Sequence, residues 1–342
     1  MRLNILYQTD NNYAPYTGVS MTSLFERNKS IAEIFVYILD NKISEDNKRR
    51  MKQTAKTFGR TIEFIPANDV VEYIKQCDMP EYRGGYTNYL KLFAGNYFKT
   101  KNIDIDRLVF IDSDTLVLGD LSDLITMDLK NNLIAMVEDS LTYKFKNKYI
   151  GLEEDSPYYN AGFVLFDMKL WLEEDIITQI KSYVVNVRSS FTNHEQDILN
   201  VMFKDRILTI SPKYNFQPIH DIYTPSQYYR IFKKKNYYSN EELNNAKKDI
   251  RIYHTYRFIG IFPWDDNDVH PANELFDNEL YCSEWKNYKK KKKNLPGYIK
   301  LERVLYKYLP KMVFLKIFQM VNHVIYTKSN RKSYLISQSN IR

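Results

Sequence analysis

Short apolar runs alternate with stretches of helical spacing from the start of the chain, and this alternation limits the fold more than any other feature. Leu3–Tyr7 and Phe35–Leu39 are almost wholly apolar, while Thr61–Ile65 alternates. Between them, Val19–Arg27 and Glu45–Phe58 carry apolar residues at helical intervals. Apolar runs without alternation suit strands buried on both faces, which is the condition of parallel strands joined by helices. The opening therefore reads βαβαβ and predicts an α/β domain with a parallel sheet. Further along, Asp69–Gln76 reads as a short helix, followed by a loop with Pro80, Gly84 and Gly85. Tyr86–Phe98 reads as a helix with Tyr89, Phe93 and Tyr97 on one side. Arg107–Ile111, Leu133–Val137, Phe163–Phe166 and Ile207–Ile210 read as strands, Lys169–Val187 as one long helix and His194–Phe203 as a shorter one. A chain of 342 residues, 44% hydrophobic and 15% aromatic, can bury one large core, which excludes disordered and collagen-like classes.

The charge is unevenly placed. From Trp285 to Arg342 there are 15 Lys and Arg against one acid, Glu302, so this segment carries +14 while the remainder is net −7. It includes five consecutive lysines, Lys289–Lys293, and a break at Pro296-Gly297. Leu301, Leu305, Tyr308 and Leu309 then share one helical face up to Pro310, and Val313, Phe314, Ile317, Val321, Val324 and Ile325 resume it. A basic segment with an apolar stripe predicts adsorption to an anionic membrane surface, and no nucleic-acid reading motif accompanies the charge. Packing of the stripe on the rest of the chain is the competing expectation. The polar start of the chain suggests no signal peptide, and no run of about 18 apolar residues suggests a spanning helix. Two distant cysteines, Cys77 and Cys282, suggest neither a disulfide framework nor a zinc site.

Several chemistries lack their motif. The first glycine is Gly18, so no glycine-rich phosphate loop follows the first strand, and neither a GxSxG nor an HExxH pattern occurs. Asp-x-Asp occurs three times, at Asp104/Asp106, Asp112/Asp114 and Asp266/Asp268. Chance alone gives roughly 1.7 copies from 24 aspartates, so position has to discriminate. Only Asp112 directly follows a five-residue apolar strand, at the sheet edge where open α/β folds bind ligands. Alternate residues of an extended chain share a face, so Asp112 and Asp114 can bracket one divalent ion; oxygen ligands favour Mn²⁺ or Mg²⁺ over zinc. A polar loop capping the next helix is the plainer alternative. Asp10-Asn11-Asn12-Tyr13 follows the first strand and belongs at the same edge, where an Asx-turn is also expected. Asn160-Ala161-Gly162 permits close approach to backbone, Glu195-Gln196-Asp197 opens a helix, and His254 ends the apolar stretch Ile250–Tyr253.

In combination, these blocks resemble a family 8 glycosyltransferase of the bacterial lipopolysaccharide galactosyl/glucosyltransferase type. The carriers are Asp10-Asn11-Asn12-Tyr13, Phe110-Ile111-Asp112-Ser113-Asp114, Tyr159-Asn160-Ala161-Gly162, His194-Glu195-Gln196-Asp197-Ile198-Leu199-Asn200, and His254 with Pro263-Trp264. The resemblance runs from about Leu3 to Trp264 and implies a GT-A fold, a Rossmann-like, mostly parallel mixed sheet flanked by helices. With the charge pattern of the tail, the expected division is a catalytic domain over 1–284 followed by a basic helical membrane-association segment over 285–342. By the same resemblance, Asp10, Asn12 and Tyr13 grip the uracil and ribose of a UDP-sugar. Asp112, Asp114 and His254 hold Mn²⁺, or Mg²⁺, against the diphosphate, beside Ser113. Lys91 reaches the donor sugar, and Asp139, Asn160, Ala161, Glu195 and Gln196 line its pocket. One departure stands out. Where the family has a lysine before Pro-Trp, this chain has Phe262, and Arg257 is the candidate replacement cation.

The implied reaction moves a hexose, galactose or glucose, from a UDP-sugar to a hydroxyl of a cell-surface glycan or glycolipid with retention of configuration. A metal neutralises the diphosphate, while Glu195 and Asp139 stabilise charge on the ring. Double displacement needs a carboxylate nucleophile, and Gln196 is a poor one, which favours front-face transfer. An inverting GT-A enzyme, a sugar nucleotidyltransferase and a non-catalytic membrane-surface binding protein are the rivals. The expected location is cytoplasmic, peripheral at the inner face of the membrane.

Overall fold

The computed structural model describes residues 2–321 and 324, apart from 80, 82–84, 142–146, 149 and 188–193. Pro80 and Gly84 of the expected loop and Ile325 of the apolar stripe lie outside the described residues. Strands β1 (Arg2–Asp10), β2 (Glu33–Asn41), β3 (Thr61–Pro66), β4 (Arg107–Ile111), β6 (Ile134–Glu138), β7 (Tyr159–Asp167) and β8 (Ile207–Thr209) form one sheet in the order β3-β2-β1-β4-β7-β6-β8. Within this sheet, among the described strands, β7 alone runs antiparallel, to its neighbours β4 and β6. The sheet is therefore mixed and mostly parallel, as expected. Two short strands, β5 (Thr115–Val117) and β9 (Ile252–His254), pair antiparallel as a separate ribbon.

Burial on both faces explains the apolar runs. Along β1, Leu3, Ile5 and Tyr7 pack into one core cluster and Leu6 into the other. The helix Ala14–Arg27 starts before the predicted Val19 because its first turns bury polar residues. Tyr7 and Ser20 exchange a hydrogen bond of 2.9 Å, and the Ser23 hydroxyl accepts the Val117 N–H at 2.9 Å. These hydroxyls fasten β5 to the helix, so the side that looks hydrophilic in sequence faces inward. The predicted long helix is two, Met168–Glu173 and Ile176–Val187, separated at Asp175, whose φ of +49° ends the first.

The basic segment begins inside the body. Trp285 is 5% exposed and packs so closely on the first helix that a Cβ on Gly18 would lie 1.9 Å from its ring. Beyond it come the helix Gly297–Tyr308 and helical residues 311–321. Their apolar residues divide between two faces. Phe314 and Leu315 are buried, and Ile299, Leu305, Leu309 and Phe318 pack with Phe314 against Phe258 and Ile259. Leu301, Val304, Tyr308, Val313, Ile317, Met320, Val321 and Val324 point outward. Arg303 (3.2 Å) and Lys307 pair with Asp268 and hold the first of these helices down. Among the described residues, no helix is long and apolar enough to cross a membrane.

Trp285→Ala is expected to cost about 3–5 kcal/mol of stability, as large-to-small core changes do, measured by urea denaturation of the full chain. A loss under about 1 kcal/mol would mean that Trp285 only rests on the surface.

Candidate donor and metal site

The site assembles where β1 and β4 end side by side. They pair in parallel through Ile5↔Val109 and Leu6↔Phe110, which brings the Asp10 loop and the Asp112-Ser113-Asp114 turn to one edge. Thr115 Oγ1 donates to the Asp112 carbonyl (2.9 Å), closing the turn. The Ser113 hydroxyl is directed inward, donating to the Gln8 carbonyl at 2.9 Å and accepting from Thr17 at 2.9 Å. The chain then enters β5, whose register with β9 sets Thr115 opposite His254. That pairing delivers the imidazole to the carboxylates: His254 Nε2 lies 3.3 Å from Asp114 and 3.9 Å from Asp112. One ligand atom from each of the three falls within 4.8 Å of the others.

The donor set fits a hard divalent ion. Asn215 Oδ1 accepts a hydrogen bond from His254 Nδ1–H (2.9 Å), so Nε2 is the ring nitrogen that faces the aspartates. Asn215 Nδ2 donates to Asn160 Oδ1 (2.9 Å), which also accepts the Gly162 N–H (2.9 Å), and Asn160 Nδ2 donates to Asp139 Oδ2 (3.1 Å). Asp139 Oδ1 accepts the Leu141 N–H (2.8 Å), and Lys234 donates to the Asp139 carbonyl. A run of fixed amides thus orients the histidine from behind. Gly162 is essential to it, because a Cβ there would lie 2.1 Å from His254 Cε1. Burial pushes the Asp112 carboxyl above the usual range, with Lys91 pulling the other way and Asp114 adding repulsion. At Asp114 burial pushes up too, but His254 outweighs it and the carboxyl lies below the usual range. Burial pulls His254 down, and the two aspartates more than reverse it. A bound cation would take the place of that imidazolium proton.

Lys91 joins this cluster to the next. Buried on the helix Leu90–Thr100, its ammonium donates to the Ala161 carbonyl (3.1 Å), sits 4.0 Å over Phe110, and lies 3.6 Å from both Asp112 and Glu195. Glu195 also accepts from Asn88 Nδ2 at 3.2 Å. Gln196 is buried, its carbonyl taking the Ala161 N–H (3.0 Å) and its amide donating to the Tyr158 hydroxyl (3.1 Å). Tyr158 in turn donates to Asp197 (2.5 Å), and Asn200 donates to the Tyr159 carbonyl (2.9 Å), pinning the helix His194–Met202 to β7.

In the loop after β1, Asp10 Oδ1 accepts the N–H groups of Asn12 and Tyr13, each at 2.9 Å, so the expected Asx-turn is present. Asn12 is exposed, and Tyr13 meets Trp264 edge-on at 6.0 Å. Burial and then Asp114 push the Tyr13 phenol up, Arg257 opposes them, and Asp10 and Asp265 add to the rise. Sequence reading missed Asn215, Tyr158 and Asn88. A single amide between aromatic residues carries no signal until β9 is placed beside it.

Gly162→Ala is expected to displace His254 and weaken Mn²⁺ binding by at least tenfold with the fold retained, read by Mn²⁺ electron paramagnetic resonance and circular dichroism. Unchanged Mn²⁺ affinity would show that the imidazole is not a ligand.

Comparison with known proteins gives a consistent result. The model of "Glycosyl transferase family 8" matches residues 4–268. General stress protein A of Bacillus subtilis is 25% identical over 290 residues, spanning 83% of this chain and 94% of its own. Lipopolysaccharide 1,2-glucosyltransferase of Escherichia coli K12 is 25% identical over 287 residues, 83% of this chain and 79% of its own. The solved structure of galactosyltransferase LgtC with donor and acceptor sugar analogs superposes with a TM-score of 0.67 at 23% identity, covering 87% of this chain and 99% of that one. That last likeness establishes a shared GT-A fold.

Proposed function

The chain belongs to glycosyl transferase family 8 and is a retaining hexosyltransferase, and from that premise we propose that its donor is a UDP-hexose held with Mn²⁺ by Asp112, Asp114 and His254. The observation that carries this reading is the convergence of these three side chains at one sheet edge, with His254 Nε2 directed inward. A divalent ion bound there supplies Lewis-acid neutralisation of the diphosphate. Asp10, Asn12 and Tyr13 receive the nucleoside on the other side of the turn. Ser113 contributes through its backbone, since its hydroxyl is engaged elsewhere.

Lys91, Asp139, Asn160, Ala161, Glu195 and Gln196 form the sugar pocket. Glu195 and Asp139 are both held by donors, so their charge is in place before positive charge develops at the anomeric carbon. Gln196 is a carboxamide locked at both ends, which orients its carbonyl dipole and makes it a poor nucleophile. Front-face transfer follows, the departing phosphate oxygen accepting the proton of the acceptor hydroxyl. Asp112→Ala or Asp114→Ala is expected to abolish UDP release from UDP-glucose and UDP-galactose with Mn²⁺, and Gln196→Ala to slow it about 10- to 100-fold. Full turnover by either aspartate variant, or no UDP release by the wild type from any UDP-hexose, would overturn the reading.

The acceptor reading is a hydroxyl of a surface glycan or glycolipid, met at the cytoplasmic face of the membrane by residues 285–342. The outward face of the two C-terminal helices supports it, combining exposed Leu301, Val313, Ile317 and Val321 with a lysine-rich segment. Each basic residue near an anionic leaflet contributes about 1 kcal/mol, and the apolar face adds insertion energy. Removing the whole segment is a poor test because Trp285 belongs to the core. Val313→Ser/Ile317→Ser/Val321→Ser in the full chain is instead expected to lower co-sedimentation with phosphatidylglycerol vesicles several-fold. Equal partitioning of variant and wild type, or binding insensitive to salt, would sink the idea.

A further inference from the structure

The lysine run reaches the donor side of the molecule, and the following rests on the UDP-hexose reading above. Trp264 lies between two stacked rings, Tyr16 at 3.9 Å and Phe262 at 4.4 Å. This ladder starts beside Tyr13 and ends at Phe262. Over the Phe262 ring gather two cations, the Arg257 guanidinium at 5.6 Å and the Lys293 ammonium at 5.2 Å. Lys293 comes from a segment fastened along the body. Tyr288 shares a 2.8 Å hydrogen bond with Tyr16, Lys290 pairs with Asp277 at 2.6 Å, and the Lys291 carbonyl accepts the Asp266 N–H at 3.1 Å. Asp265, the carboxylate 3.6 Å from Lys293, also accepts the Phe262 N–H at 2.9 Å. Phe262 itself contributes a ring face and no charge.

Charge accounting shows what such a pair is for. Asp112 and Asp114 balance a divalent ion, and Lys91 is then balanced by Glu195, 3.6 Å away. The diphosphate of a UDP-sugar carries two negative charges and gains a third when the bond from C1 to the phosphate oxygen breaks and its electron pair stays on that oxygen. Neutralising it requires cations other than Lys91. We infer that Lys293, seated with Arg257 on Phe262, binds the diphosphate of the donor, so that the lysine run completes the donor site as well as the basic surface. The aromatic ring holds both cations without neutralising them, and the Lys293 stem lets the ammonium swing from Asp265 onto a phosphate oxygen.

The test is titration calorimetry of the full chain with Mn²⁺, using UDP and uridine as probes. Lys293→Gln keeps the stem on Phe262 and removes the charge; UDP affinity is expected to fall about tenfold with uridine affinity unchanged. Adding Arg257→Gln should lower UDP affinity further, while Lys292→Gln, at an exposed neighbour of equal charge, should leave it unaltered. Wild-type UDP affinity in Lys293→Gln overturns the inference, as does an equal loss for uridine, which would mark a distorted pocket. A wild type that binds neither probe overturns the UDP-hexose reading and this inference together.

Discussion

The close approach of the His254 ring to the backbone of Gly162 is the constraint on which the site depends. The two residues come from strands far apart in sequence, and the distance between them leaves no room for a methyl group. Everything that positions the imidazole is set by this contact. β9 must pair with β5 in one register to bring His254 opposite Thr115, and the Asp114 carbonyl must accept Thr255 N–H at 2.7 Å to hold the ribbon down. Asn215 can then reach Nδ1 only if its own amide is oriented by Asn160. Each amide has one orientation that satisfies both neighbours, so the ring orientation of the histidine is fixed through Asn215 from behind.

Lys91 ties the aspartate cluster to Glu195. Burying an unpaired ammonium costs several kcal/mol, and here no single partner offsets it. The direct hydrogen bond goes to a carbonyl, both carboxylates stand off at 3.6 Å, and Phe110 covers one side. The charge is therefore shared between Asp112 and Glu195. A cation arriving between Asp112 and Asp114 draws on the same negative charge, which strengthens the relative hold of Lys91 on Glu195. Charge at the aspartates and charge at Glu195 are thereby linked through one ammonium.

What the sequence made legible follows from these forces. Strands β1, β2 and β4 are apolar because both faces are covered, so their pattern is visible in a short window. The edge residues Asp10, Asp112 and Asn160 are visible because they end or begin such strands. β5 and β9 are three residues each and gain their identity from pairing with one another, a long-range fact that local composition does not encode. The first turns of the helix Ala14–Arg27 read as polar because Thr17, Ser20 and Ser23 spend their hydroxyls inside the protein. The break at Asp175 was hidden for a different reason, since apolar spacing continues in phase across it.

The C-terminal segment shows how one hydrophobic pattern can serve two surfaces. Read as a stripe, Leu301, Leu305, Val313, Phe314, Ile317 and Val321 look like a single face. In three dimensions Leu305 and Phe314 turn toward Phe258 and Ile259, while Leu301, Val313, Ile317 and Val321 turn away. The inward residues answer the competing expectation that the segment packs on the body. They leave the outward set without a partner among the described residues, and one apolar face cannot be accounted for by the burial of the other. Gly260 shows how tightly the inward contact is made: at a φ of +78° it passes Ile299 so closely that a Cβ would lie 2.6 Å from its methyl carbon. The same loop, from His254 to Trp264, carries His254, Arg257 and Phe262. A helix docked on Gly260 therefore bears directly on the loop that holds these three residues.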